Sequence, residues 1–277
     1  MVAKFLIIPY LDKERILGNA WDYSVFTFFD LLGFKYAVRN VPQEKLATLM
    51  MNLAHCTNIA KGYGGDPTEL ETHLKNWENP IKSVHFSDAI IVFTEDDSIE
   101  AFKHILWVAI SLLGTGFSLG FCLRGALSYG SFYYDLNSNI YFGEPLIEAY
   151  MMETQQEWAG CVLTRSCIKV AEARGYLDDA VIYSKFERYE NGVEKVSQRI
   201  RIPLLVKYKV PLKGGAEELY CVNWPNCWVS SKEVLPMRQK IIELAFHRPF
   251  GMVSFTGKCE VTNKLKNTLD FLWSRFE

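Results

Sequence analysis

Residues 23–30 (YSVFTFFD) form an unbroken run of aromatic and β-branched side chains, the pattern of a buried strand. Residues 43–61 (QEKLATLMMNLAHCTNIAK) carry apolar side chains at helical spacing. GYGGDPTE (62–69) breaks that helix and opens a polar excursion to about residue 80. The stretch 82–94 (KSVHFSDAIIVFT) reads as two short strands about a turn at Ser87–Asp88. Asp96–Asp97–Ser98 then offers an N-cap for a helix over 99–113.

Farther along, FCLRGALSYGSFYY (121–134) predicts a strand with glycine interruptions, and DLNSN (135–139) a turn. NIYFGEPLIEAYMMETQQE runs from a short strand into a helix with Glu144 and Pro145 in its first turn. Proline suits the first helical position and an acid there favours the helix dipole. CVLT (161–164) is a strand, and SCIKVAEAR a short helix stopped by Gly175. Segments 199–210 and 217–223 alternate as late strands around a Lys213–Gly214–Gly215 turn. The tail from Ser230 to Glu277 predicts two helices separated by a loop around His247–Arg248–Pro249. Strand, helix, strand–turn–strand, helix, strand is the βαββαβ order of an α+β, ferredoxin-like sheet with helices on one face.

One segment needs a membrane test. Ile105–Leu123 holds 19 residues without a charge, the minimal length of a span. It also holds three glycines and the hydroxyls of Ser111, Thr115 and Ser118, which fit a buried helix turning into a strand. The buried helix is the expectation and the span its alternative. Near the N-terminus the apolar run FLIIP is shorter than a signal-peptide core.

Composition changes this picture little. At 277 residues the chain matches one large domain, or one and a half. Apolar residues at 49% and charged residues at 22% exclude disorder and fibrous classes. Thirty basic against 32 acidic side chains give no sign of a nucleic-acid or anionic-membrane surface. Seven scattered cysteines without a CxxC pair read as reduced thiols of a cytoplasmic protein.

Two aspartates stand out. Asp30 ends an apolar strand, and Asp88 sits at the tip of the hairpin VHFSDAIIVF. Neither has a basic neighbour in sequence, so each carboxylate must be solvated, paired or bound to a metal. In a ferredoxin-like sheet the first strand and the hairpin lie together, so the two carboxylates can face one another. Oxygen-only ligands suit Mg²⁺ or Mn²⁺.

These residues carry a resemblance. FFDLLGF resembles the FxDIxGF motif of class III nucleotidyl cyclases, and HFSDAIIVF that family's second metal-aspartate hairpin. LRGALSYGSF resembles its RxGIxxGxV strand, YFGEPLIEAYMMET the segment around its GxxVNxAxR helix, and YKVPLKGGAEELYCV its late strand pair. The five occur in the family's order over residues 23–223. The resemblance implies a catalytic domain over 1–224, with 225–277 a helical extension packed on it. It implies two divalent cations held by Asp30, Asp88 and the Leu31 carbonyl. Gly33 and Phe34 fall in the substrate-binding motif, Arg124 matches a triphosphate-contacting arginine, and Lys213 a lysine reaching the phosphates from a partner subunit. The implied reaction is attack of the ribose 3′-oxygen on the α-phosphorus with loss of pyrophosphate, in a homodimer with sites at the interface.

The sequence departs from the family's pattern at several positions. Val84 and Ile140 stand where purine cyclases carry base-reading polar residues. Together with GEPLIEAY, they resemble the pyrimidine cyclases of bacterial Pycsar anti-phage systems, which signal to a separate cyclic-nucleotide-activated effector. UTP is favoured over CTP. The motif's transition-state asparagine and arginine fall on Ile147 and Met151, leaving Arg124, Arg165 and Lys213 as replacement charges. A purine cyclase with an unusual pocket and a catalytically silent sensor or dimerisation module remain the alternatives.

Overall fold

Strand β1 (Tyr23–Leu31) is the centre around which the sheet is built. It leads into α1 (Phe34–Asn40) and α2 (Gln43–Gly62), then the hairpin β2 (Ile81–Phe86) and β3 (Ala89–Thr94). Helix α3 (Ile99–Leu119) returns to β4 (Leu123–Asp135), which folds back through β5 (Ile140–Gly143) into α4 (Glu144–Gln155). β6 (Gly160–Leu163), α5 (Arg165–Ala173) and α6 (Tyr176–Asp179) precede the hairpin β7 (Val181–Glu190) and β8 (Val193–Pro203). Strands β9 (Leu205–Leu212) and β10 (Gly215–Val222) and helices α7 (Leu235–His247) and α8 (Cys259–Ser274) complete the chain. The computed structural model describes residues 23–62, 81–190, 193–225, 232–247 and 259–276.

The main sheet runs β2-β3-β1-β4-β6-β10-β9, with β5 paired to β4. Its first four strands are mutually antiparallel, the order the βαββαβ pattern demands. β6 then joins β4 in parallel. One face carries Phe26, Phe28 and Asp30, since alternate residues of a strand share a face. Phe132 and Tyr134 fold over it against Phe93, and Tyr150 of α4 meets Phe28 edge-on. Helices α2 and α3 cover the other face, where Lys61 Nζ donates to Ser83 Oγ at 2.8 Å. Helix α3 is long and apolar enough to cross a membrane by length and composition, yet much of it is buried in the core. Phe271 of α8 packs against Trp158 and Tyr208, and Thr268 Oγ1 accepts the Ala159 amide at 2.9 Å.

Several elements differ from the sequence reading. Helix α3 runs to Leu119, past the expected end at 113, because its glycines sit inside a packed helix. A Cβ at Gly116 would stand 3.2 Å from Leu123 Cδ1, so the glycine there answers close approach rather than a break. Helix α1, strand β7 and the start of β8 were not foreseen, and the strand expected over 199–210 divides at Leu204 into the end of β8 and most of β9. Cys56, Cys122, Cys161, Cys167 and Cys221 are free thiols. The FLIIP run, the polar excursion after Gly62, the loop at Arg248–Pro249 and the ends of the tail lie outside the described residues.

Candidate functional site

The end of β1 is where unlike charges converge. Asp30, next to last in the strand and half-buried, lies directly opposite Ala89 on β3 and Arg124 on β4. Asp88 is the second residue of the two-residue β2–β3 turn and is also half-buried. The Leu31 amide donates to the Asp88 carbonyl at 3.1 Å, fastening the hairpin tip over the end of β1. The two carboxylates lie close enough that the charge of Asp88 disfavours ionisation of Asp30. The structure thus brings together the carboxylates that the sequence reading paired.

β1 and β4 approach closely here for a definite reason. A Cβ at Gly125 would lie 2.4 Å from the Phe29 ring and 2.5 Å from the Phe28 carbonyl oxygen. Only glycine lets the strands close at this point, and the closure sets Arg124 across from Asp30. Beyond Leu31 the chain turns through Gly33, whose left-handed φ of 86° disfavours a side chain. The Gly33 carbonyl accepts the Tyr36 and Ala37 amides, both at 3.0 Å, starting α1 at the half-buried Phe34.

Arg124 is 8% exposed and held on two sides. Its Nε donates to Glu153 Oε1 at 2.5 Å and its Nη1 to the Gln156 carbonyl at 2.7 Å. Glu153 is the functional residue missed by the sequence reading. A helical signal for it existed: Pro145, Ala149 and Glu153 recur every four residues and form the buried face of α4. Lys213 lies exposed in the β9–β10 turn, its amide donating to the Gln155 carbonyl at 2.8 Å.

Electrostatics follow from this placement. Burial raises the Asp30 pKa from 3.8 to about 7. The negative charges of Glu153 and Asp88 add to the rise, and Arg124 opposes it. Burial also raises the Glu153 pKa, against the pull of Arg124 and Lys213. A pair of neighbouring carboxylates, one of them resisting ionisation, is a site whose cost of charging a bound dication removes. The donors, two aspartates and nearby backbone carbonyls, are all oxygens and fit Mg²⁺ or Mn²⁺. No group of three or more His, Cys, Asp or Glu side chains able to hold a metal occurs among the described residues.

The other expected site residues lie elsewhere. Val84, half-buried opposite Ile91, lies two strands from β1. Ile140 is 45% exposed and pairs with Asp135, eleven residues along β4 from Arg124. That is roughly 35 Å of strand, so one chain does not bring Ile140 to the carboxylates. Ile147 and Met151 are 53% and 62% exposed on the outer face of α4, beside the exposed Tyr150. Arg165 is an exposed surface residue 3.8 Å from Glu217. Within GEPLIEAY, Glu148 accepts the Ser166 amide at 3.2 Å and the Ser166 hydroxyl, tying α4 to the start of α5.

No family model matches the chain, nor does any curated protein sequence. Solved structures do overlap with it. The catalytic core of a rhodopsin-guanylyl cyclase with converted specificity, in complex with ATPalphaS, aligns at TM-score 0.44 and 12% identity, covering 73% of this chain and 95% of that one. The non-canonical dimeric guanylyl cyclase domain of a fusion protein from the aquatic fungus Blastocladiella emersonii gives 0.44 and 13%, over 60% and 88%. A bacterial light-regulated adenylyl cyclase gives 0.43 and 12%, over 81% and 58%. These likenesses are distant, and the functional reading rests on the site's own residues.

Proposed function

We propose that this chain is the catalytic domain of a nucleotidyl cyclase. It converts a pyrimidine nucleoside triphosphate, UTP before CTP, to the 3′,5′-cyclic monophosphate and pyrophosphate. The observation that carries the proposal is the Asp30–Asp88 pair, drawn together by the Leu31–Asp88 backbone bond across from Arg124, at the end of an antiparallel βαββαβ sheet. Asp30, Asp88 and the Leu31 carbonyl are the groups that would hold the two cations. When bound, Mn²⁺ or Mg²⁺ lowers the pKa of the attacking 3′-hydroxyl and offsets the charge gathering on the phosphates.

The chain's own residues do the rest by position and charge. The new bond joins the 3′-oxygen to the α-phosphorus, the bond to the bridging oxygen of pyrophosphate breaks, and the hydroxyl proton leaves to solvent. Arg124 faces the polyanion from β4, and the Gly33–Phe34 turn lines its path. Lys213 adds a second cation near Glu153. Val84 and Ile140 offer no hydrogen bonds to a purine's exocyclic groups, so the base they suit is one that does not need them. A homodimer is proposed on two grounds. Ile140 is remote from Asp30 within one chain, and α4 exposes Ile147, Tyr150 and Met151 at the spacing of one helical face. The cyclic product would act as a second messenger for a separate effector in anti-phage defence, a role supported by the resemblance of GEPLIEAY.

Incubation with each of the four ribonucleoside triphosphates and Mn²⁺, with products identified by mass spectrometry, tests the proposal. Cyclic UMP or cyclic CMP should form at least roughly tenfold faster than the purine products, the discrimination expected of unpaired polar edges. Comparable rates with ATP and UTP would establish a purine-tolerant cyclase. No cyclic product from any substrate would leave a silent module.

A further inference from the structure

Arg124 stands across from Asp30 on β4, and its aim is set by α4. Its two acceptors, Glu153 Oε1 and the Gln156 carbonyl, belong to the end of that helix. The anchor is itself rigid. The Gln156 side-chain amide donates to the Gly125 and Met152 carbonyls at 2.8 and 3.3 Å, and Gln156 Oε1 accepts Trp158 Nε1 at 2.8 Å. Gln156 and Trp158 are fully buried, and Glu153 is 2% exposed. Two acceptors on one rigid support fix both the position and the plane of a guanidinium.

By charge alone Glu153 works against this site. It adds a third carboxylate to the end of the sheet that holds Asp30 and Asp88, and it faces both cations meant for the polyphosphate. A neutral amide would favour anion binding more. Besides pairing the charge of a nearly buried guanidinium, its contribution to the site is then geometric. We propose that Glu153 is a positioning residue, which holds the Arg124 guanidinium oriented beside Asp30 for the polyphosphate of the incoming nucleotide. The proposal rests on the nucleotide reading above and deepens it.

Two substitutions separate geometry from charge. Glu153→Gln keeps the length and the acceptor oxygen and removes the charge. Glu153→Asp keeps the charge and withdraws it by one methylene. The probe is inorganic tripolyphosphate with Mn²⁺, titrated calorimetrically into the full chain. Arg124→Ala sets the floor, and thermal melts confirm that each variant folds. Arg124→Ala and Glu153→Asp should each weaken binding about tenfold, the low end for a hydrogen bond to a charged group. Glu153→Gln should bind within about threefold of the parent or tighter, since acceptor geometry survives. Parental affinity in Glu153→Asp or in Arg124→Ala overturns the proposal, as does a Glu153→Gln loss equal to that of Glu153→Asp. Turnover of the parent protein is scored separately. Absence of any cyclic nucleotide sinks the cyclase reading and leaves the split between the two Glu153 variants to stand.

Discussion

Asp30 should make this protein less stable as pH rises, and Asp30→Asn should remove that liability. The folded-state pKa is raised from 3.8 to about 7, so the folded protein holds a proton that the unfolded chain has already released. Stability is therefore greatest below the unfolded value and falls as pH climbs from about 4 through 7. The full interval corresponds to on the order of 4 kcal/mol, because each tenfold change in proton affinity is worth about 1.4 kcal/mol. Roughly 2–3 kcal/mol of it falls between about pH 5 and pH 8.5. An asparagine carries no such penalty, so the melting temperature of Asp30→Asn should gain on the parent by about 5–10 °C over that range. Other carboxylates largely cancel in the comparison. Asp97, whose pKa is lowered mainly by its bond to Arg174, is common to both proteins. The assay is thermal denaturation of both proteins at the two pH values in EDTA, repeated with millimolar Mn²⁺ at the higher one. Mn²⁺ should raise the parent and leave Asp30→Asn near its EDTA value, because a ligand stabilises only the state that binds it. A melting-temperature gap that is the same at both pH values would refute the assignment of a strained carboxylate. Equal stabilisation of both proteins by Mn²⁺ would refute the cation site.

Asp88→Ala should leave a folded protein with less than about a tenth of parental cyclic nucleotide formation, since a lost cation ligand costs several kcal/mol. Higher residual turnover would remove Asp88 from the site. Gly125→Ala should lower the melting temperature by at least about 4 °C, because its Cβ would meet the Phe28 carbonyl oxygen at 2.5 Å and the β1–β4 pair must separate. An unchanged melt would show that the strands can yield without cost. Mixed Asp30→Ala and Lys213→Ala chains should recover part of the activity if Lys213 serves the partner's site. No recovery would assign Lys213 to the Arg124 cluster of its own chain, where its charge already reaches Glu153.

The sheet was legible because its strands are written in unbroken or alternating apolar runs, each closed by turn residues. Helix α1 was not, because FKYAVRN is seven residues long and buries only Ala37, too few for a period to emerge. Strand β7 and the first part of β8 escaped for another reason. Charged and apolar residues mix along YSKFERYE and VEKVSQRI in a pattern that no single buried face imposes. In the site, Asp30 and Asp88 showed themselves as carboxylates in apolar surroundings, where solvation or pairing is obligatory. Glu153 is buried more deeply than either, yet its sequence neighbours METQQE are polar and disguise it. The motif alignment drew the eye to Ile147 and Met151, which lie on the opposite, exposed face of the same helix. Helical phase, with Ala149 as the inward mark, would have pointed to the glutamate.

The charges at this end of the sheet also bear on the form in which a substrate can enter. Asp30, Asp88 and Glu153 face Arg124 and Lys213, while Lys264, which also acts on Glu153, is paired with Glu157. Glu153 occupies one edge of Arg124 through an ion pair that is nearly buried on both sides. A bare triphosphate would meet carboxylates that its own charge repels, with only part of one guanidinium and an exposed lysine to attract it. A dication seated between Asp30 and Asp88 removes their repulsion and reverses the sign of the field at the mouth of the site. Attraction for the polyanion then depends on the cation being present, while Arg124 and Lys213 decide where the phosphates come to rest. Tripolyphosphate should accordingly bind the parent protein far more weakly in EDTA than with Mn²⁺, by at least about tenfold at low ionic strength, since the dication cancels the repulsion of the aspartate pair. Equal affinity in both conditions would mean that the basic groups suffice, and that the paired aspartates have no part in holding the phosphates.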